Sequence, residues 1–163
     1  MKPGPDLVEH LKLDLKANDR IAIIQSLFNK EITDGLVKGA VDTLQELGFK
    51  EDKLPVYQVS GAVEIPLVAK VLASKKRHIG ILTLGAVIKG DTPHFDYVCQ
   101  MVSSSIAALN LEYELPIGFG VLTTDNLAQA NLRSKQDQHN KGRECALAIA
   151  RQLLIIKRIH ENR

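Results

Sequence analysis

Apolar and polar positions along this chain alternate between two periods. Arg20 to Phe28 is a short apolar run that suits a strand buried on both faces, and Ile79 to Ile88 is the strongest such run. Leu54 to Val59 and Ile117 to Leu122 read as two further strands. Between them the spacing turns helical. Ile32, Leu36, Val37, Ala40, Leu44 and Leu47 recur on one helical face, and Gly48 then stands where a helix is commonly stopped. Glu64 to Lys76 reads as a helix that tolerates Pro66 because it falls in the first turn. Thr92 suits an N-cap and Pro93 the first helical position, opening a helix to about Asn110. Thr124 or Asp125 caps a short helix to about Arg133. Ser134 to Asn140 is polar and loop-like. Lys141 to about His160 forms a long last helix, with Cys145, Ala148, Ile149, Gln152 and Ile156 on or near one face.

Strands that alternate with helices predict a parallel sheet joined by right-handed crossovers. Four of them predict an α/β fold, a flavodoxin-like three-layer α/β/α sandwich around a four-stranded parallel sheet. Residues 1–18, with Pro3, Gly4 and Pro5, read as an N-terminal arm, loosely held in an isolated monomer. Residues 19–163 then form a single domain.

Composition narrows the picture by exclusion. A length of 163 residues fits one domain with a proper core. The formal net charge is +2 and the charges are dispersed, so no basic stripe for nucleic acid appears. The Lys75-Lys76-Arg77 run reads as a solvated helix end. Cys99 and Cys145 lack a CxxC partner and form no disulfide framework, which points to a reducing compartment. His10, His78, His94, His139 and His160 show no metal-ligand spacing. No signal-peptide core and no apolar run long enough for a bilayer is found. The expectation is a soluble, cytoplasmic domain without metal, membrane or nucleic-acid partner.

The chemistry gathers at four junctions where a strand ends and a helix begins: Leu27-Phe28-Asn29, Ser60 to Pro66, Gly90 to Phe95, and Thr123 to Asn126. Open α/β sheets bind ligands at the carboxyl ends of their strands. The helix opening at Gly90-Asp91-Thr92-Pro93-His94 offers backbone N–H groups and a positive dipole end to an oxyanion. Thr92 caps that helix or donates to the anion, and Asp91 must then point away. His94 falls in the first turn, where the dipole disfavours an imidazolium, so it suits a proton acceptor; a plain surface histidine is the competing reading. Ser60-Gly61-Ala62 admits close backbone approach, and Glu64 either holds hydroxyls or an amine or simply favours a helix start. Phe28 either stacks on a planar ligand or packs in the core. Arg133 and Lys141 either clamp a phosphate or stay solvated.

Taken together, these segments resemble the 6,7-dimethyl-8-ribityllumazine synthase family. The resemblance runs from about Arg20 to the end. It is carried by Gly61-Ala62-Val63-Glu64-Ile65-Pro66, by Gly85 to Val98 with its Lys89-Gly90-Asp91-Thr92-Pro93-His94-Phe95 core, by Phe119-Gly120-Val121-Leu122-Thr123-Thr124-Asp125, and by Asn140-Lys141-Gly142. It implies a transferase that condenses 5-amino-6-(D-ribitylamino)uracil with 3,4-dihydroxy-2-butanone 4-phosphate in riboflavin biosynthesis, with no cofactor and no metal. By the same resemblance Phe28 stacks on the pyrimidine, Ala62 and Glu64 meet the ribityl chain, and Val87 and Ile88 offer backbone to the uracil edge. Thr92 and Arg133 contact phosphate, and His94 transfers a proton. Gly61, Val63, Ile65, Ala86 and Asp91 complete the substrate-binding set. Phe119, Arg133 and Lys141 are expected from a neighbouring subunit of a homo-pentamer, which in this family can assemble further into a 60-subunit icosahedral shell. Leu27, Val63, Ala128, Ser134, Lys135 and His139 depart from the family's usual residues, and none of these removes a catalytic group. The rival expectation is a non-catalytic lumazine- or flavin-binding or shell-forming paralogue of the same fold.

Overall fold

The computed structural model describes residues 11–161. Strand β1 (Ile21–Ser26) leads to helix α1 (Lys30–Glu46), then β2 (Val56–Val59), α2 (Ile65–Ser74), β3 (Gly80–Ile88), α3 (His94–Tyr113), β4 (Ile117–Thr124), α4 (Leu127–Ser134) and α5 (Lys141–Glu161). The strands form one parallel sheet in the order β2-β1-β3-β4. This is the expected α/β sandwich.

Side-chain alternation along the strands assigns the layers. Ile21 and Ile23 of β1, with Leu82, Leu84 and Ala86 of β3, face Leu36, Ala40 and Leu44 of α1 and Ala146 and Ile149 of α5. Ala22, Ile24 and Ile81 face the other way, onto Ile65, Ala69 and Ala73 of α2 and Val102, Ile106 and Leu109 of α3. Every residue of β1 is buried. Each isoleucine so buried contributes about 1.5–3 kcal/mol relative to exposure. β2, at the sheet edge, leaves Val56 and Tyr57 exposed.

The element ends differ from expectation in ways that have physical causes. Gly48 does terminate α1: it sits at φ 100°, its N–H bonds Gln45 O, and Phe49 N–H bonds Leu44 O, the paired bonds of a Schellman ending. Thr92 does not cap α3. Pro93 holds that position in helical geometry, and Asp96 N–H bonds its carbonyl. Nor does α3 stop at Asn110. The Asn110 side chain donates to Ile106 O and Ile117 O and accepts from Ile117 N–H, so this asparagine ties the helix to the start of β4 instead of ending it. The helix runs on to Tyr113, where Glu114 turns left-handed. α4 is capped by Asn126, whose Oδ1 accepts from Gln129 N–H, because β4 extends through Thr124.

Residues 1–10 of the expected arm lie outside the described residues. The described part of the arm contacts the domain. Leu11 and Leu13 pack on Leu47, Leu147 and Ala150, and Asp14 pairs with Lys157 at 2.8 Å.

The loop before α5 is pinned by Asn140, which is buried. Its Nδ2 faces the carbonyls of Gly35, Ser134 and Lys135 at 2.9–3.1 Å, and its Oδ1 accepts from Arg143 N–H. Gly142 lets α5 sit directly against α1, since a Cβ there would lie 1.9 Å from Leu36 O. Gly142→Ala must push the two helices apart and is expected to cost about 1–3 kcal/mol. Thermal unfolding at fixed protein concentration checks this: a melting point several degrees lower is expected, and an unchanged one would mean that the contact is not tight.

Candidate active site

The connections after β1 and β3 leave on opposite faces, because α1 packs on one layer and α3 on the other. A crevice must open between the two strands at their carboxyl ends. The pairing records it. β1 and β3 separate after Gln25 opposite Leu84, whereas β3 and β4 stay paired as far as Ile88 opposite Thr124.

A pocket of about 340 Å³ occupies this crevice. It is lined by Phe28, Gly61, Ala62, Val63, Glu64, Ala86, Val87, Ile88, Gly90, Thr92, His94, Phe95 and Val98. Three of the four junctions read from the sequence thus converge. Phe28 is 70% exposed, so it is a pocket wall and not a core residue. Its backbone is fixed, with Leu27 N–H bonded to Val59 O and Phe28 N–H to Ser60 O. Glu64 is held by its own turn: Gly61 N–H donates to Glu64 Oε2 at 2.8 Å, which anchors one carboxylate oxygen at the pocket wall. His94 is the first residue of α3 and is exposed into the same space. An aromatic face, a strand edge, a carboxylate and an imidazole therefore surround one volume suited to a small planar molecule with hydroxyls.

Phe119, Arg133 and Lys141 lie elsewhere. They line a second pocket of about 430 Å³ along the edge strand β4, together with Gly118 to Thr123, Glu144, Cys145 and Ala148. Phe119 is half-exposed there. Arg133 is braced by donating to Gln129 O, and Lys141 pairs with Glu144. Gly118 lets α5 close the floor, since a Cβ there would lie 2.5 Å from Cys145 Sγ. Burial pushes the Cys145 thiol up to about 12, with the Glu144 carboxylate adding to the effect, so it is a packing group and not a nucleophile.

Two of the residues singled out by sequence stand apart from both pockets. Ile65 is fully buried on the core face of α2, and Asp91 is exposed and outside the pocket lining. Among the lining residues, Phe95 was placed in a junction without a role, and Val98 and Glu144 were not named for either pocket. Val98 follows His94 by one helical turn and Glu144 follows Lys141 by three residues, so helical spacing could have found both. Among the described residues no group of three or more His, Cys, Asp or Glu side chains comes together as a metal site, and no helix is long and apolar enough to cross a membrane.

The fold and the crevice define a parallel α/β protein with a pocket of small-molecule size at its topological switch point. The family model described as 6,7-dimethyl-8-ribityllumazine synthase matches residues 18–157, and the chain belongs to that family. It is 43% identical over 153 residues to the 6,7-dimethyl-8-ribityllumazine synthase of Leuconostoc mesenteroides subsp. mesenteroides, covering 94% of this chain and 98% of that protein.

The state of Cys145 gives a direct check on the second pocket. Iodoacetamide at pH 8 should leave Cys145 unmodified in the native protein and alkylate it after denaturation, as read by peptide mass spectrometry. Rapid native labelling would mean that the pocket floor is open.

Proposed function

We propose that this chain condenses 5-amino-6-(D-ribitylamino)uracil with 3,4-dihydroxy-2-butanone 4-phosphate to give 6,7-dimethyl-8-ribityllumazine, phosphate and water. The observation that carries the reading at residue level is the single pocket shared by Phe28, Glu64, the Val87–Ile88 edge and His94. Phe28 stacks on the pyrimidine, the strand edge meets its polar rim, and Glu64 with Ala62 holds the ribityl chain.

The 5-amino group attacks the ketone carbon, and loss of water leaves an imine. His94 takes a carbon-bound proton as the C–O bond to phosphate breaks, and the resulting enol tautomerises to a ketone. The ribityl-bearing nitrogen then attacks that ketone and a second water departs, closing the ring. No step needs a covalent enzyme intermediate. Holding the two reactants in register supplies about 7–11 kcal/mol at most, and general-base work by His94 adds about 10²–10⁴-fold.

Arg133 is the charge clamp for the phosphate, with Thr92 donating beside it. Arg133 and His94 line different pockets of one chain, and this supports a site shared between subunits. Each chain in a closed heterologous ring, a pentamer here, gives its β4 pocket to one neighbour and takes the crevice of the other. We extend this to a 60-subunit shell built from such rings, and we place the enzyme in the cytoplasm, where its two cysteines stay reduced. A non-catalytic binding paralogue would need neither a base at 94 nor a cation at 133.

Mixing the protein with both substrates should release phosphate and develop the green fluorescence of the lumazine. His94→Ala should lower kcat while leaving pyrimidine binding nearly intact, because the lost interaction belongs to the transition state. Arg133→Ser should raise KM for the butanone phosphate far more than for the pyrimidine. Equal effects on both substrates would assign Arg133 to assembly instead.

A further inference from the structure

The crevice exists because the ladder between β1 and β3 stops, and one side chain bridges the gap. Ile81 of β3 and Lys89, the residue just past its end, donate their N–H groups toward β4, to Pro116 O and Thr124 O. By strand alternation Ala86 turns its carbonyl the other way, toward β1. β1 has already ended at Ser26, so no backbone N–H of that strand stands opposite. Asn29 fills the place: its Nδ2 donates to Ala86 O at 2.9 Å.

Asn29 occupies the N-cap position of α1, yet its side chain makes no capping bond. Its backbone carbonyl accepts from Ile32 N–H and Thr33 N–H, while the carboxamide is turned away across the crevice. This needs a left-handed backbone, and Asn29 sits at φ 57°, ψ 47°. Asparagine is among the few non-glycine residues that adopt this region readily. The residue before it is Phe28, and the residue that it grips is followed by Val87 and Ile88. The two walls of the pocket are thereby joined through one half-buried side chain.

We propose that Asn29 is a positioning residue that clamps the β1–α1 junction to β3, holding the Phe28 ring and the Ala86–Ile88 edge at the spacing of a planar ring. The proposal rests on the functional reading above, in which that pocket takes the pyrimidine. Asn29 need not touch substrate for this. It sets the slot into which the ring slides.

Asn29→Gly keeps the left-handed backbone without strain and removes only the clamp. Asn29→Asp keeps shape and backbone but sets an acceptor against the Ala86 carbonyl. Affinity is read by fluorescence titration with 6,7-dimethyl-8-ribityllumazine, steady-state KM is measured for each substrate, and melting is followed in parallel. Asn29→Gly should weaken lumazine binding and raise KM for the pyrimidine about tenfold, as expected for one lost hydrogen bond that orders a site. KM for the butanone phosphate should stay within about twofold and the melting point close to wild type. Asn29→Asp should weaken lumazine binding further. Unchanged lumazine affinity in Asn29→Gly would overturn the clamp. Parallel losses for both substrates with a lowered melting point would also overturn it, assigning Asn29 to folding alone. A wild-type protein that neither bound the lumazine nor turned over would overturn the functional reading itself and the clamp with it, a result distinct from a loss confined to the Asn29 variants.

Discussion

The structure depends on one topological constraint: the chain leaves β1 and β3 toward opposite faces of the sheet. The two strands are hydrogen-bonded only as far as Gln25 and Leu84. Beyond that point their backbones part, and each carries a polar junction into a separate layer. The pocket is the space this separation leaves. It forms without any long loop or lid, because β1 and β3 are clamped below it by apolar packing on both sides. Strands with short rims hold the aromatic, carboxylate and imidazole groups around one volume, the arrangement that the proposed approximation of two reactants needs.

The second pocket follows from a different constraint, the close approach of α5 to α1 and β4. Gly142 and Gly118 remove the side chains that would separate these elements. Asn140 then satisfies carbonyls of α1, the end of α4 and the following loop that this burial would otherwise strand. The result projects Arg133, Lys141 and Glu144 beside the edge of the sheet, next to a half-exposed Phe119. An aromatic ring and cations along an uncovered sheet edge have little use within one chain. In the ring proposed above, they would face a neighbour's crevice and supply the charge for the phosphate.

Much of this was legible in the sequence. The four strands and their alternation with helices follow from apolar period alone, and Gly48 marks its helix end because only a left-handed turn fits there. His94 falls at a helix start whichever residue is taken as the cap. Several of the differences share one cause: asparagines act through partners that local pattern does not reveal. Asn110 reads as a helix end but is bonded to Ile117 across a turn. Asn126 takes the cap that Thr124 or Asp125 was expected to supply, since the last residues of β4 stay in the sheet. Asn29 finds its partner 57 residues away. The fate of Phe28 was equally hidden, because core packing and ligand stacking require the same residue type and differ only in where the ladder stops. Lys141 and Arg133 were visible as cations that either clamp a phosphate or stay solvated; only the resemblance set them apart from His94, and they do line a different pocket of the chain.

The central claim is that each working site joins the crevice of one chain to the β4 pocket of another. Co-refolding His94→Ala chains with Arg133→Ser chains tests it most directly. Each variant alone has one damaged half in every site. In mixed rings some interfaces pair a wild-type crevice with a wild-type β4 pocket. The account predicts that lumazine formation in the mixture rises well above the sum of the separately refolded variants, with the gain depending on mixing ratio. Activity that stays at that sum in well-formed mixed rings would contradict it and place both halves of the site within a single chain.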